Sequence, residues 1–133
     1  MIKIKVDKKV KDGAIVVILD AEEKVLLLER PATARWAPYK WGYPGGKRER
    51  GETPRQTAIR ETKEETRLEV HNLKLLGQQT EKNVVAFYTR EFTGDIKIDY
   101  EHTAWAWVSL AETDQYDLAP GVLKIYEWVL KNG

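Results

Sequence analysis

Residues 45–68, GGKRERGETPRQTAIRETKEETRL, constrain the fold more than any other part of the chain. A glycine turn, Gly45-Gly46, leads through Gly51-Glu52 into Thr53-Pro54, an N-cap residue followed by proline at the first helical position. This predicts a helix from Pro54 to Thr66 or Arg67. On a wheel of about 100° per residue, Glu61 and Glu65 lie about 40° apart and Glu64 about 60° to the other side of Glu61. Three carboxylates therefore share one face. Ala58, Ile59, Thr62 and Thr66 make a different face, expected to pack against a sheet.

Like charges four residues apart destabilise a helix by a few tenths of a kcal/mol. Arg60 and Lys63 relieve this only in part. A hard divalent cation such as Mg²⁺, which prefers oxygen ligands and keeps some of its waters, would relieve it directly. A solvated acidic face is the competing explanation, and the helix alone leaves both open.

The rest of the chain supplies strands and a second helix. Ala14–Leu19 and Val25–Glu29 are short, β-branched or leucine-rich runs separated by Asp20–Lys24, which predicts two strands joined by a turn. Ile2 to Val6 alternates with period two, as an extra edge strand would. Residues 31–46 hold Pro31, Pro38 and Pro44 with Gly42, Gly45 and Gly46, a loop with at most a short strand inside it. Further strands are expected over Leu73–Gly77, Val84–Phe92 and Thr103–Leu110. Pro120 is expected to open a second helix, with Val122, Ile125, Tyr126, Val129 and Leu130 recurring at helical spacing. No repeat or low-complexity tract is present. The expectation is a single α+β domain over residues 1–133.

Composition excludes several function classes. Lys and Arg total 22 against 21 Asp and Glu, a net charge of +1, so stable binding of long nucleic acid through counterion release is not expected. A small phosphorylated ligand remains compatible, because a metal can supply the local positive charge. With 42% hydrophobic and 32% charged residues the chain is not of disordered composition. The absence of Cys removes disulfides, thiolate metal sites and cysteine nucleophiles. No apolar run approaches the roughly 20 residues that span a bilayer, and Met1–Lys11 lacks a signal-peptide core; no membrane partner and a cytoplasmic location are expected.

The motif region resembles the signature of the Nudix hydrolases: Gly, five residues, Glu, seven residues, Arg-Glu, an aliphatic, any residue, Glu-Glu, any residue, Gly, an aliphatic. Gly46, Glu52, Arg60, Glu61, Glu64, Glu65 and Leu68 stand at those spacings. Thr62 departs from the aliphatic slot and Arg67 from the glycine slot. The hydroxyl of Thr62 then needs a partner on the packing face, for which a backbone carbonyl one turn back is the expectation. Arg67 either adopts a left-handed conformation at a cost of roughly 1 kcal/mol or ends the helix differently.

The resemblance implies a Nudix fold, a mixed β-sheet sandwiched between helices, and cleavage of the diphosphate linkage of a small nucleotide. It implies Mg²⁺ or Mn²⁺ held by Glu61, Glu64, Glu65 and the Gly45 carbonyl, neutralising charge and lowering the pKa of an attacking water. Glu61, Glu64 and Glu101 are the candidate catalytic residues, with Glu101 the loop candidate for the base and Glu81 a weaker rival. Glu52 and Arg60 are expected as a structural ion pair, and Glu49 as an outer-shell ligand or a solvated residue. Arg30, Trp36, Gly46 and Lys47 are the candidate substrate contacts: Arg30 at the end of a strand, Trp36 as a base-stacking platform. Trp41 is assigned to the core, as are Trp105, Trp107 and Trp128. His71 and His102 are isolated, with no metal-ligand spacing to a partner.

The compact chain resembles the MutT-like (d)NTP pyrophosphatases. The proline that marks many ADP-ribose hydrolases is not found about 15 residues after Leu68, where Lys82, Asn83 and Val84 stand, nor is the tyrosine of some dinucleoside polyphosphate hydrolases. ADP-ribose, nucleotide sugars and RNA 5′ ends stay open as substrates. A non-catalytic nucleotide sensor is the alternative of another class. Monomer and homodimer are both compatible.

Overall fold

The computed structural model describes residues 13–76 and 83–133. The alternating Ile2–Val6 stretch, Gly77 at the end of one expected strand, and Glu81 lie outside them.

Strand β1 (Gly13–Ile18) and β2 (Val25–Glu29) form where the two apolar runs predict them. Asp20 makes the intervening turn, its Oδ1 accepting the N–H groups of Glu22 and Lys24 at 2.9 Å each. The proline-rich loop contains two short strands rather than one, β3 (Trp41–Gly42) and β4 (Gly45–Lys47). Helix α1 (Pro54–Thr66) follows, then β5 (Glu69–His71), β6 (Lys74–Leu75), β7 (Val84–Thr89), β8 (Glu91–Thr93) and β9 (Ala104–Val108). A 3₁₀ helix (Leu110–Gln115) and helix α2 (Val122–Asn132) complete the chain. The expected single run Val84–Phe92 breaks at Arg90, and its two parts pair with different partners.

Strand β1 is central in a four-stranded mixed sheet ordered β4-β1-β7-β6, parallel to β7 and antiparallel to β4. Strand β2 is central in a second sheet, β3-β2-β9, and β5 pairs with β8. Because side chains alternate along a strand, β1 and β2 feed two cores. Val16, Ile18, Leu26, Leu28, Val85 and Phe87 pack beneath α1 with Ala58 and Leu68. Val17, Leu19, Val25, Leu27 and Val108 pack with Val122, Ile125, Tyr126 and Val129 of α2. Sheets lie between the two helices, as the expected α+β sandwich requires.

Helix α1 starts where the sequence places it. Thr53 caps Gln56 N–H, and Gln56 returns a hydrogen bond to Thr53 N–H, a capping box. It ends at Arg67, which takes the left-handed conformation (φ 70°) and donates its N–H to the Lys63 carbonyl. Three expectations on this helix need correction. Ile59 is 40% exposed, because it lies off the buried stripe of Thr57, Ala58, Thr62, Glu65 and Thr66. Thr62 Oγ1 is buried with no hydrogen-bond partner among the described residues, while Thr66 makes the back-bond, to the Thr62 carbonyl at 2.7 Å. Lys63 pairs with Glu69 rather than with the acidic face. In α2, Gly121 rather than Pro120 caps the helix, and Leu130 faces outward.

Trp41 is core, edge-on to Tyr116 with ring centroids 5.0 Å apart, and Trp107 stacks on Phe92 at 5.5 Å. Trp128 meets Tyr88 edge-on. Trp105 departs from the core assignment and is 41% exposed.

Candidate active site

The capping box and the stripe of small residues under α1 fix which acids turn inward. Ala58, Thr62 and Thr66 let the helix lie close on β1, and Glu65, next to Ala58 on the wheel, is carried into the interface at 6% exposure. Its Oε1 accepts the Gly45 N–H at 3.0 Å. Burial drives the Glu65 carboxyl up to about 9, and the charges of Glu61, Asp99 and Glu101 push the same way against the Gly45 bond. Glu61 is half-buried and also raised, chiefly by burial, with Arg60 opposing. Glu64 is exposed.

Strand β4 closes on this face. A Cβ added at Gly46 would lie 2.6 Å from both carboxylate oxygens of Glu61, so only glycine leaves that carboxylate room. A Cβ at Gly45 would strike the Ala14 carbonyl and come 2.7 Å from Ile15 Cα, across the β4–β1 pairing. Lys47 is exposed at the end of β4, and its carbonyl accepts from Arg60.

Arg60 does more than pair with Glu52. Its Nε and Nη2 grip the two Glu52 oxygens at 2.5 and 3.0 Å, a bidentate pair. Nη2 also donates to the Lys47 carbonyl at 3.0 Å, and Nη1 to Glu61 at 3.1 Å and Glu64 at 3.2 Å. Glu52 further accepts the Glu49 N–H and the Thr57 hydroxyl. The Arg60 bond, followed by the Glu49 N–H, holds the Glu52 carboxyl down at about 2. Glu49 has its own carboxylate 3.7 Å from Arg60, so its visible part is to support the loop.

Arg30 and Trp36 come together. Arg30 Nε donates to the Trp36 carbonyl at 2.7 Å, and its guanidinium lies 5.3 Å from the centroid of the Trp36 ring, which is 49% exposed. Burial lowers the Arg30 pKa, while the charges of Glu65 and Glu101 raise it. Glu101, exposed in the loop before β9, is therefore felt at Glu61, Glu65 and Arg30 alike. Gly45 and Gly46 lie against Glu65 and Glu61, Arg30 and Glu101 share the electrostatics of those acids, and Trp36 is held beside Arg30.

Hard carboxylate oxygens, one of them buried and repelled by its neighbours, suit a divalent cation. Among the described residues no three His, Asp or Glu side chains already converge as a metal site. Arg60 holds Glu61 and Glu64, and both would have to exchange that contact to meet Glu65 about one ion.

A profile of the NUDIX domain matches residues 9–129. The chain belongs to the Nudix hydrolase family. It is 31% identical over 121 residues to the CTP pyrophosphohydrolase of Escherichia coli strain K12, covering 85% of this chain and 87% of that one. It is 39% identical over 70 residues to the 8-oxo-dGTP diphosphatase of Proteus vulgaris, over 53% and 62% of the two chains. In fold it is similar to the MutT Nudix hydrolase of Burkholderia pseudomallei, with a TM-score of 0.75 at 24% identity over 88% and 95% of the chains.

Against the Nudix frame, the histidines separate. Among the described residues, the ring of His71 on β5 has one hydrogen-bond partner, Thr93 Oγ1 at 3.4 Å. His102, read from sequence as isolated, has a partner: its Nδ1 is 2.8 Å from Asp99 Oδ1. Asp99 is the residue that sequence reasoning missed. Its one signal was the i, i+3 spacing to His102, which suits a turn. Among the described residues, no helix is long and apolar enough to cross a membrane.

Proposed function

We propose that this Nudix hydrolase is a Mg²⁺- or Mn²⁺-dependent pyrophosphohydrolase of nucleoside triphosphates, MutT-like, acting as a single domain on small nucleotides in the cytoplasm. The observation that carries the reading is the Glu65–Gly45 contact beside Glu61, which puts paired acids against a glycine strand open to a ligand. The cation, held by Glu61, Glu64, Glu65 and the Gly45 carbonyl, would supply charge neutralisation along the diphosphate and an acidified water.

The chain's own residues divide the remaining work. Glu101 serves as general base, since it stands among the acids yet is exposed and free of ion pairs among the described residues. Arg30 and Lys47 meet phosphate oxygens. Trp36, stiffened from one side by Arg30, offers aromatic surface to a base. Arg60 and Glu52 hold the loop onto the helix. The named activities of the CTP and 8-oxo-dGTP relatives favour a triphosphate over a nucleotide sugar or ADP-ribose.

The test is product release from a panel of (d)NTPs, 8-oxo-dGTP, ADP-ribose, nucleotide sugars and dinucleoside polyphosphates with Mg²⁺ or Mn²⁺. Nucleoside monophosphate plus pyrophosphate from one or more triphosphates is the expected result. Turnover confined to ADP-ribose or a sugar nucleotide would overturn the triphosphate assignment, and tight nucleotide binding with no turnover would make the chain a sensor.

A further inference from the structure

The loop between β8 and β9 that carries Glu101 is fastened at both ends. Lys97 and Asp99 donate their N–H groups to the carbonyls of Thr66 and Glu65, at 2.9 and 3.2 Å. These belong to the last turn of α1, whose carbonyls have no partner within the helix. At the other end, Thr103 donates its N–H to the Glu29 carbonyl at 3.2 Å and its hydroxyl to Glu29 Oε1 at 2.7 Å. Between the anchors the chain turns through Tyr100 and Glu101.

The main-chain bond that closes this turn, His102 N–H to the Asp99 carbonyl, is 3.4 Å long, near the limit of a useful hydrogen bond. The side chains close it a second time at 2.8 Å, His102 Nδ1 to Asp99 Oδ1, with side-chain exposures of only 9% and 18%. Tyr100, within the turn, is 93% exposed and contributes no packing. The shorter, more buried bond is thus the one that holds the turn. A neutral imidazole protonated at Nδ1 suffices to make it.

We infer that Asp99 and His102 are positioning residues for Glu101, their side-chain hydrogen bond locking the turn that presents the Glu101 carboxylate to the acids of α1. This rests on the proposed role of Glu101 as base. Among the described residues neither side chain hydrogen-bonds an α1 carboxylate; the Asp99 charge does act on Glu65, and D99N, which removes that charge but keeps the acceptor, separates it from the turn.

The experiment compares H102A, H102N, D99N, E101Q and H102A/E101Q with wild type. A misplaced base costs rate more than binding, so H102A is expected to lower kcat about tenfold or more with KM within about twofold. H102N, whose amide can replace the Nδ1 donor, recovers most of the loss, and D99N, which keeps the Oδ1 acceptor, stays within about threefold of wild type. In the E101Q background the His102 substitution adds less than about twofold, because the group it positions is already disabled. In metal-free protein, amide exchange over residues 99–103 quickens in H102A and recovers in H102N, while thermal melting confirms both variants folded. Multiplicative losses in the double variant, or a tenfold loss in D99N, would overturn the positioning role while leaving Glu101 in place. Wild-type activity of E101Q would remove Glu101 as base and this inference with it.

Discussion

The Gly45 N–H donates to Glu65 Oε1 at 3.0 Å, tying the glycine strand to the one α1 acid that is buried. That bond sets the distance between β4 and α1, and so the room left for Glu61 beside Gly46.

Alanine at the two glycines should therefore give different failures. At Gly46 the added carbon meets only the end of the flexible Glu61 side chain, which can move aside. Gly46→Ala is expected to melt close to wild type yet lose about a hundredfold in kcat, through a displaced carboxylate. At Gly45 the added carbon meets strand backbone, which cannot yield cheaply. Gly45→Ala is expected to cost about 1–3 kcal/mol of stability, read by denaturant unfolding. A fully active Gly46→Ala would refute the close approach.

The Glu52–Arg60 pair makes a pH prediction. The Glu52 carboxyl is depressed from 4.5 to about 2 in the folded state, so its contribution is present above about pH 4.5 and lost as pH falls toward 2. Melting temperature should decline through that window in wild type and decline less in Glu52→Gln, which melts lower at neutral pH. Parallel profiles for the two proteins would contradict the pairing.

Glu65 has the opposite sign. Its carboxyl is raised from 4.5 to about 9, so the folded protein retains a proton that the unfolded chain releases, and stability falls as pH rises through that range. Glu65→Gln keeps the acceptor for Gly45 and removes the titrating group. Without divalent metal at pH 8 it should melt higher than wild type, with the gap closing near pH 4.5. Adding Mg²⁺ should raise the wild-type melting temperature and leave the variant unmoved. Equal metal responses would remove Glu65 from the ion's ligands.

Arg67 holds a left-handed backbone, φ 70°, at the end of α1. Glycine adopts this conformation without the Cβ penalty, so Arg67→Gly should stabilise by about 0.5–1 kcal/mol, measured by chemical denaturation, with activity unchanged. A loss of stability would mean that Arg67 contributes contacts worth more than the strain.

Much of this was legible in the chain. Thr53-Pro54 located the start of α1 to the residue, because cap chemistry is local. The Glu52–Arg60 pair was expected from the resemblance to the Nudix signature, and the two side chains do meet. The wheel also placed Glu65 about 20° from Ala58, so its burial was readable, yet grouping by charge set it with exposed Glu64. Strand β5, the break at Arg90 and the Asp99–His102 turn were not legible. Each depends on partners distant in sequence, as when Thr89 Oγ1 donates to the His71 carbonyl or α1 carbonyls capture the β8–β9 loop. Trp105 was misplaced for a related reason: strand alternation gives its face but not whether the sheet is covered there.

The most direct test of the whole account is nucleoside monophosphate release from the panel triphosphates by wild type and Glu64→Gln, each with and without Mg²⁺. Glu64 is exposed and its only polar partner among the described residues is Arg60, so its substitution is expected to leave the melting temperature close to wild type. Metal-dependent turnover is expected in wild type, with a loss of about a hundredfold or more in Glu64→Gln. Turnover by Glu64→Gln at the wild-type rate, or wild-type turnover indifferent to the metal, would contradict it.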